Sequence, residues 1–329
     1  MNKQIIAKEI LKWYDNNRRI LPWRKQLTNK QKEYFTLVSE IMLQQTQVKT
    51  VIPFFNNFIK KIPNLLALAN TRDKKLMKCW EGLGYYSRAR NLKKTAKIII
   101  KDFNGRLPDS IELLKTLPGI GDYTSTAIMA IVFNKQFIPI DGNVERILKR
   151  VFYLKSEKEI NKDNLHKKKS LFGKSNRPSD YAQAIMEIGA LICKPKDPLC
   201  HKCPVNKICT AYKKNDFETK SKNKFNKVKY FEAEIYENNN KYLLIKNNKF
   251  NFLKNLLIFP MKEIDQNKFK SSFNKSINIK ISNMDMRITI NKIKKNKYFN
   301  NSFLIGKDDL KNHILPSFTK KIFNSIMRY

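Results

Sequence analysis

Leu117-Pro118-Gly119-Ile120-Gly121-Asp122-Tyr123-Thr124 joins two stretches of helical periodicity, and the reading of this segment decides the fold. Its glycines permit backbone conformations that other residues resist. They also let main-chain N–H groups at the start of the next helix approach a phosphate. A Leu-Pro-Gly-x-Gly turn can equally be an ordinary connection between helices. An acidic segment about twenty residues on, Ile140-Asp141-Gly142-Asn143-Val144-Glu145-Arg146, adds weight to the phosphate reading, in which Gly119 and Gly121 are contact residues.

Outward from this turn, apolar spacing of three and four residues predicts helices over 109–116 and 122–133, then over 143–153, 157–172 and 179–193. Upstream, helices are predicted over 3–19, 33–49, 50–60, 72–81 and 86–102, separated by Leu21-Pro22-Trp23-Arg24, Pro53, Pro63, Gly82 and Gly84. No sustained period-two alternation occurs before residue 215, so this part is all-α. Lys213 to Lys227 is a polar run of Lys and Asn with little to bury. Beyond it Phe231, Ala233 and Ile235 alternate, Asn238-Asn239-Asn240 supplies a turn, and Tyr242-Leu243-Leu244-Ile245 resumes, which predicts a hairpin. Ile288-Thr289-Ile290 predicts a further strand and residues 316–328 a closing helix. The chain is therefore mainly α: an α domain over 1–212, a linker over 213–228 and a small α+β domain over 229–329.

The 329 residues carry 66 Lys and Arg against 28 Asp and Glu, a formal net charge of +38. Such an excess attracts phosphate polyanions and speeds encounter with them. The surplus is mostly Lys beside abundant Asn and Ile, a mixture that AT-rich coding also produces. No basic amphipathic helix is set apart for a membrane surface. No stretch approaches the roughly 18 uninterrupted apolar residues of a spanning helix, and Met1-Asn2-Lys3-Gln4-Ile5-Ile6 lacks the apolar core of a signal peptide. Nucleic acid is the favoured partner, with no membrane partner. The expected protein is a cytoplasmic monomer associated with the nucleoid.

Four of the five cysteines, Cys193, Cys200, Cys203 and Cys209, fall within 17 residues, which in the cytosol reads as metal binding rather than disulfides. Four thiolates on a compact loop suit either structural zinc or an iron–sulfur cluster. Lys194, Lys196, His201, Lys202 and Lys207 would face DNA phosphate if the loop serves as a clamp. The metal's role is in the fold, not in bond breaking. Cys79, between Lys78 and Trp80, reads as a packing residue.

Two carboxylates stand out. Asp141 precedes a helix, which makes it an N-cap, and also a carboxylate kept ionised to face a developing positive charge. Glu40 interrupts the apolar run Thr36-Leu37-Val38-Ser39 and Ile41-Met42-Leu43, followed at helical spacing by Gln44 and Gln47, with Gln45 and Thr46 adjacent. That face is polar but uncharged, suited to base edges. Burial there raises the pKa of Glu40 toward that of a proton donor near neutrality. Two carboxyl groups with pKa values pushed apart are the pattern for breaking a glycosidic bond.

Leu43-Gln44-Gln45-Thr46-Gln47, the segment Gly82-Leu83-Gly84-Tyr85-Tyr86-Ser87-Arg88-Ala89-Arg90-Asn91-Leu92, Leu117 to Gly121, Asp141-Gly142-Asn143-Val144 and the four cysteines together resemble the MutY-type adenine DNA glycosylases of the helix-hairpin-helix, Gly/Pro-Asp superfamily. The resemblance covers about residues 3–212 densely. It implies a two-lobed all-α helix-hairpin-helix glycosylase domain with one 4Fe–4S cluster on the cysteine loop, then a small α+β, Nudix-like C-terminal domain. The implied substrate is double-stranded DNA with adenine opposite 8-oxoguanine or guanine. Glu40 would protonate the five-membered ring of the flipped adenine and then help deliver water. Asp141 would stabilise or trap the sugar cation, supported by Tyr123 and Asn143. Arg24 and Glu187 match positions that contact the extruded base. Gln45 and Tyr85 match residues inserted near the orphaned base, with Gln44 and Thr46 alongside.

The nearest rival is an endonuclease III-like enzyme, which removes oxidised pyrimidines and cleaves the strand with a Lys just after the hairpin glycines. Tyr123 stands at that place, so a glycosylase without lyase activity is implied. A non-catalytic DNA-binding module is disfavoured, because a carboxylate facing DNA is electrostatically costly unless it does chemistry. In the C-terminal domain the family reads 8-oxoguanine partly through Phe-Ser-His. The best match is Ile281-Ser282-Asn283, with Ser282 alone retained. The Asn251-to-Pro260 segment matches a family Gly-rich strand entry poorly, apart from Leu256 and Phe259-Pro260. Leu315-Pro316-Ser317 resembles the family's closing motif, and no clustered Glu residues could bind Mg²⁺ as a Nudix hydrolase does.

Overall fold

The computed structural model describes residues 3–25, 28–156, 159–169, 172, 174–218, 227–272, 275–281, 284–293, 302–306 and 308–327. Ser282, Asn283 and linker positions 219–226 lie outside the described residues. The chain divides into two compact units, Met1–Thr71 with Arg90–Ser221, and Arg72–Ala89 with Lys222–Tyr329. Among the described residues no helix is long and apolar enough to cross a membrane.

The helices are α1 (Lys3–Asn17), α2 (Asn29–Leu43), α3 (Val48–Lys61), α4 (Leu65–Asn70), α5 (Asp73–Trp80), α6 (Tyr86–Asp102), α7 (Ile111–Thr116), α8 (Asp122–Ile131), α9 (Gly142–Val151), α10 (Lys162–Lys169), α11 (Pro178–Leu191) and α12 (Thr210–Lys213). α2 is the central helix of the first unit. Thr28 accepts from the Gln31 N–H while the Gln31 side chain accepts from the Thr28 N–H, a capping box that fixes its start. From Glu33 to Met42 nearly every residue is buried, as expected of a helix covered on all sides. A second core forms where α1, α9 and α11 meet, through Ile10, Tyr14, Leu148, Ile185 and Ile188, and reaches Val205 and Cys209 of the cysteine loop.

The structure corrects the reading in three places. The second helix stops at Leu43 rather than 49, and Gln45 follows in the left-handed region at φ 57°. Gln44 and Gln47 are therefore loop residues and not a helical face shared with Glu40. Pro53 does not separate helices but lies inside α3, where buried Val51, Phe55 and Phe58 hold the helix through the missing N–H. α4 lies outside the predicted helices; Asn64 starts it by accepting from the Ala67 N–H.

In the turn between α7 and α8, Gly119 has φ 85°, and a Cβ there would come 3.1 Å from the Asn91 Cβ. Glycine is required at that position by conformation and by space. Gly121 has φ −106° and open space around it, so conformational need does not explain it. Thr95 donates to the Pro118 carbonyl at 2.8 Å and Gln44 donates to the Gly119 carbonyl at 3.2 Å, fixing the turn from both sides.

The second unit is built on the strands β1 (Lys227–Asn238), β2 (Lys241–Lys246), β3 (Leu257–Ile258), β4 (Met261–Ile264), β5 (Ser276–Ile281), β6 (Met284–Ile293) and β7 (Ser302–Gly306), with helices α13 (Gln266–Lys270) and α14 (Ser317–Ile326). The order is β3-β2-β1-β6-β5, with β4 on β1 and β7 on β2. The predicted hairpin is β1–β2; Asn239 and Asn240, at φ 48° and 58°, take the left-handed pair that a two-residue hairpin turn demands. β1 and β6 run parallel, setting Phe231 against Ile288 and Ala233 against Ile290. Phe318, Ile322 and Phe323 of α14 join those residues in one core.

Candidate active site

Glu40, near the C-terminal end of α2, is 4% exposed among Leu37, Val38, Ile41 and Met42. Burial pushes its pKa up to about 7, against a hydrogen bond from Tyr123 and the positive charge of Arg24, and the negative charge of Asp141 pushes the same way as burial. Its Oε2 is buried with no hydrogen-bond partner among the described residues. A carboxyl in this state holds its proton near neutrality and has one oxygen free to present it. Tyr123, on α8, is pushed well above its ordinary value by burial and by both carboxylates, so it stays a donor.

Asp141 is the N-cap of α9. Its Oδ1 accepts from the Asn143 and Val144 N–H groups at 3.0 and 2.7 Å, and Oδ2 accepts from Asn143 Nδ2 at 2.9 Å. Three donors at the helix N-terminus fix the orientation of this carboxylate. Asn143 is held in turn by Arg146, whose Nη2 donates to Asn143 Oδ1 at 2.9 Å and to the Gly189 carbonyl at 2.8 Å, and whose Nε donates to the Cys193 carbonyl at 2.7 Å. α9 and α11 approach so closely here that a Cβ on Gly189 would lie 2.7 Å from the Asn143 Cβ.

Glu187, on α11, has a side chain 1% exposed and is the third carboxylate of the site. Arg19 grips it with Nε to Oε2 at 2.7 Å and Nη2 to Oε1 at 2.8 Å, and Arg24 adds Nη1 to Oε1 at 2.8 Å. Burial pushes its pKa up, but the two guanidinium groups outweigh this and hold it below the ordinary value. Glu40, Asp141 and Glu187, with Tyr123, Asn143 and Arg24, all line one open cavity of about 1910 Å³.

The four cysteines line a small apolar pocket together with Ile147, Val151, Ile188 and Val205. Buried Arg150 donates to Cys193 Sγ at 3.5 Å and ties down the Lys194 and Pro195 carbonyls at 2.6 and 2.9 Å. Burial and neighbouring thiol charge push Cys200 and Cys209 up and Cys203 to about 12. Thiols packed in this way hold charge together only around a cation. Among the described residues no three His, Cys, Asp or Glu side chains are grouped around a site for a single metal ion. Lys194, Lys196, His201, Lys202 and Lys207 are exposed around the loop.

A family model for HhH-GPD superfamily base excision DNA repair proteins matches residues 38–169. The adenine DNA glycosylase of Buchnera aphidicola subsp. Schizaphis graminum is 39% identical over 269 residues, 79% of this chain and 76% of that protein. The chain belongs to the adenine DNA glycosylase family. The Mus musculus adenine DNA glycosylase is 39% identical over 212 residues, 62% of this chain and 41% of that longer protein. Among solved structures, a thermostable thymine-DNA glycosylase matches with a TM-score of 0.57 at 28% identity, covering 64% of this chain and 97% of that one. A non-covalent endonuclease III–DNA complex matches in fold, with a TM-score of 0.54 at 21% identity over 65% of this chain and 98% of that one. This is a DNA glycosylase, a hydrolase of N-glycosyl bonds, acting on adenine in base excision repair.

The glycosylase cavity gathers most of the residues singled out from sequence, and adds others. Gln44, exposed Gln45, Thr46 and Gln47 line its mouth. Gln44 also spends its amide on Gly119 and, at 3.3 Å, on Thr124 Oγ1, so it braces the turn. Gly119 and Gly121 are exposed on that turn, away from the cavity lining. Tyr85 belongs to the second unit, 40% exposed at φ 47°. Arg19, Trp23 and Gln183, which line the cavity, and Arg146, which holds Asn143, are positions that the sequence reading did not single out. Arg18-Arg19 at a helix end reads as a solvated basic pair, and nothing local links residue 19 to a glutamate 168 positions away.

Proposed function

We propose that this glycosylase hydrolyses the N-glycosidic bond of adenine mispaired with 8-oxoguanine or guanine and leaves the strand intact. The observation that carries the proposal is the presence, in the lining of one cavity, of a carboxyl raised to about 7 with an orphaned oxygen and a second carboxyl held by three donors. Extruding adenine from the duplex costs a few kcal/mol, offset by Gln45 and Tyr85 entering the stack and by the cavity itself. The paired Glu187 and Arg24, with Arg19 behind them, give the purine edge one acceptor and guanidinium donors. Glu40 gives its proton to the five-membered ring. The bond between the sugar and the base breaks with its electron pair going to adenine, and the Asp141 carboxylate stabilises the sugar cation or traps it covalently, with Tyr123 and Asn143 supporting. Glu40, now charged, takes a proton from the incoming water. Tyr123 stands where a lyase carries its amine nucleophile, so no Schiff base forms. Gly119 and Gly121 with the α8 N-terminus hold a phosphate. The C-terminal unit is Nudix-like and reads the base opposite adenine, with Ser282 as a contact.

The cysteine cavity fits one 4Fe–4S cluster held by Cys193, Cys200, Cys203 and Cys209. The resemblance to the glycosylase family favours the cluster over a lone tetrahedral zinc at these four thiols. When bound, the cluster supplies a structural cross-link that fixes the basic loop. Purified protein is expected to be yellow-brown with broad absorbance near about 400 nm and stoichiometric iron. Cys203→Ser should lose both and reach the insoluble fraction; a colourless, zinc-loaded wild type rules the assignment out.

The deciding experiment incubates the protein with a duplex carrying one adenine opposite 8-oxoguanine, and a second opposite guanine, followed by hot alkali. Alkali-dependent strand breaks at adenine are expected in both. Breaks without alkali, trapped by borohydride, would place the enzyme with the lyases instead.

A further inference from the structure

In the second unit, one half-buried carboxylate joins two segments more than two hundred residues apart. Glu81 follows α5 directly, and its side chain is 9% exposed. Its Oε2 meets Lys78 Nζ at 2.7 Å, and its Oε1 meets Lys320 Nζ at 2.7 Å and accepts from the Leu315 N–H at 3.3 Å. Lys78 alone, three residues away, could neutralise it. The contacts with residues 315 and 320 do something further. α14 begins behind Pro316, which has no side-chain cap bond. The buried Leu315 N–H just before it finds its acceptor in Glu81. α14 itself is fixed: Thr319 Oγ1 donates to the Leu257 carbonyl at 2.7 Å, and Phe318, Ile322 and Phe323 lie in the sheet core.

On the other side of Glu81 comes a turn with no slack. Gly82, Gly84 and Tyr85 lie in the left-handed region at φ 99°, 77° and 47°. Trp80 Nε1 donates to the Gly84 carbonyl at 3.0 Å, and the Arg88 guanidinium donates to the Leu83 and Gly84 carbonyls at 3.4 and 3.3 Å while lying over the Tyr85 ring, 5.2 Å from its centroid. Leu83 is buried and Tyr85 is the exposed tip. The shape of this turn is thus set locally. Its position against the sheet depends on Glu81, the residue immediately before it.

We infer that Glu81 is a positioning residue: by pairing with Lys320 and the Leu315 N–H it locks the Gly82–Tyr85 turn to α14, so that Tyr85 and the sheet unit read the orphaned base as one body. The inference rests on the proposed insertion of Tyr85 beside that base and on mispair reading by the same unit. Loosening the link should weaken engagement most where the orphaned base is 8-oxoguanine, the base the sheet unit reads, and less where it is guanine. It should leave the chemical step alone, since no group of the cleavage cavity is touched.

The test uses full-length wild type, Glu81→Ala, Lys320→Met, Lys320→Arg and the double variant Glu81→Ala with Lys320→Met, in single-turnover excision at varied enzyme concentration. Substrates are adenine opposite 8-oxoguanine and opposite guanine. In Glu81→Ala the half-saturating concentration should rise about tenfold for the 8-oxoguanine duplex and by under about threefold for the guanine duplex, with saturating rates within about twofold of wild type. Lys320→Met should move the same way, Lys320→Arg should restore wild-type behaviour, and the double variant should add little to Glu81→Ala. Equal losses on both duplexes, a fall in the saturating rate, or no change in Lys320→Met would each overturn the inference; Lys320→Met keeps it testable should Glu81→Ala fail to fold. Wild type that excises adenine from neither duplex would overturn the underlying reading, and this one with it.

Discussion

Glu40→Gln is expected to lower single-turnover excision at least about a thousandfold while duplex binding stays within a few-fold of wild type. The amide keeps the shape of the side chain and can accept the Tyr123 hydroxyl, but it has no proton to give. In wild type the acid limb should follow Glu40 itself. With a pKa of about 7, set first by burial, the saturating rate should be flat below that pH and fall about tenfold per unit above it. Stability carries the same signature with a definite sign. A carboxyl whose folded-state pKa is raised costs nothing while protonated in both states, and destabilises the fold as pH rises from about 4.5 through about 7. The loss is on the order of 3 kcal/mol at pH 8. Glu40→Gln escapes it, so the variant should melt near wild type at pH 5 and above wild type at pH 8. A dead enzyme that is no more stable than wild type at pH 8 would mean that Glu40 is not held as described.

Much of this site could be read from residues in order, because its carboxylates sit in strong local contexts. Glu40 interrupts an apolar helix, and Asp141 precedes Gly142-Asn143-Val144 at a helix start. Other parts were invisible for identifiable reasons. The end of α2 at Leu43 has no Gly or Pro to announce it. The left-handed turn is made by Gln45, a residue that helices accept, so periodicity ran on to 49 and put Gln44 and Gln47 on a face they do not share. Pro53 gave the opposite error, a breaker signal overridden by three buried side chains. β5 lay outside the predicted strands although Ile277, Ile279 and Ile281 alternate with polar residues, whereas the two-residue β3 gives alternation nothing to work on. Glu187 with Arg19, and Glu81 with Lys320, are pairings across 168 and 239 positions. Such contacts are properties of the packed chain, and no local pattern encodes them.

Asp141 separates a structural role from a chemical one within a single residue. As an N-cap it stabilises α9, and Asp141→Ala should cost about 1–2 kcal/mol in urea melts. Asp141→Ser keeps a cap, since a serine oxygen accepts from the same N–H groups, and should cost only a few tenths. If capping were the whole role, Asp141→Ser would excise adenine at nearly the wild-type rate. The cavity geometry leads to the other outcome: Oδ1 and Oδ2 together hold one full negative charge opposite a cation that forms only in the transition state, and neither Ser nor Ala replaces it. Both variants should fall by about a thousandfold or more in saturating rate, with duplex affinity unchanged or raised. Asp141→Asn is the less clean probe. Its amide nitrogen would meet Asn143 Nδ2, donor against donor, and Asn143 cannot turn over without giving up Arg146. That variant should lose stability despite being the best cap on paper. Activity that tracks stability across Ser, Ala and Asn would reduce Asp141 to a helix cap; activity lost in all three, with Ser fully folded, leaves the charge as the only thing removed.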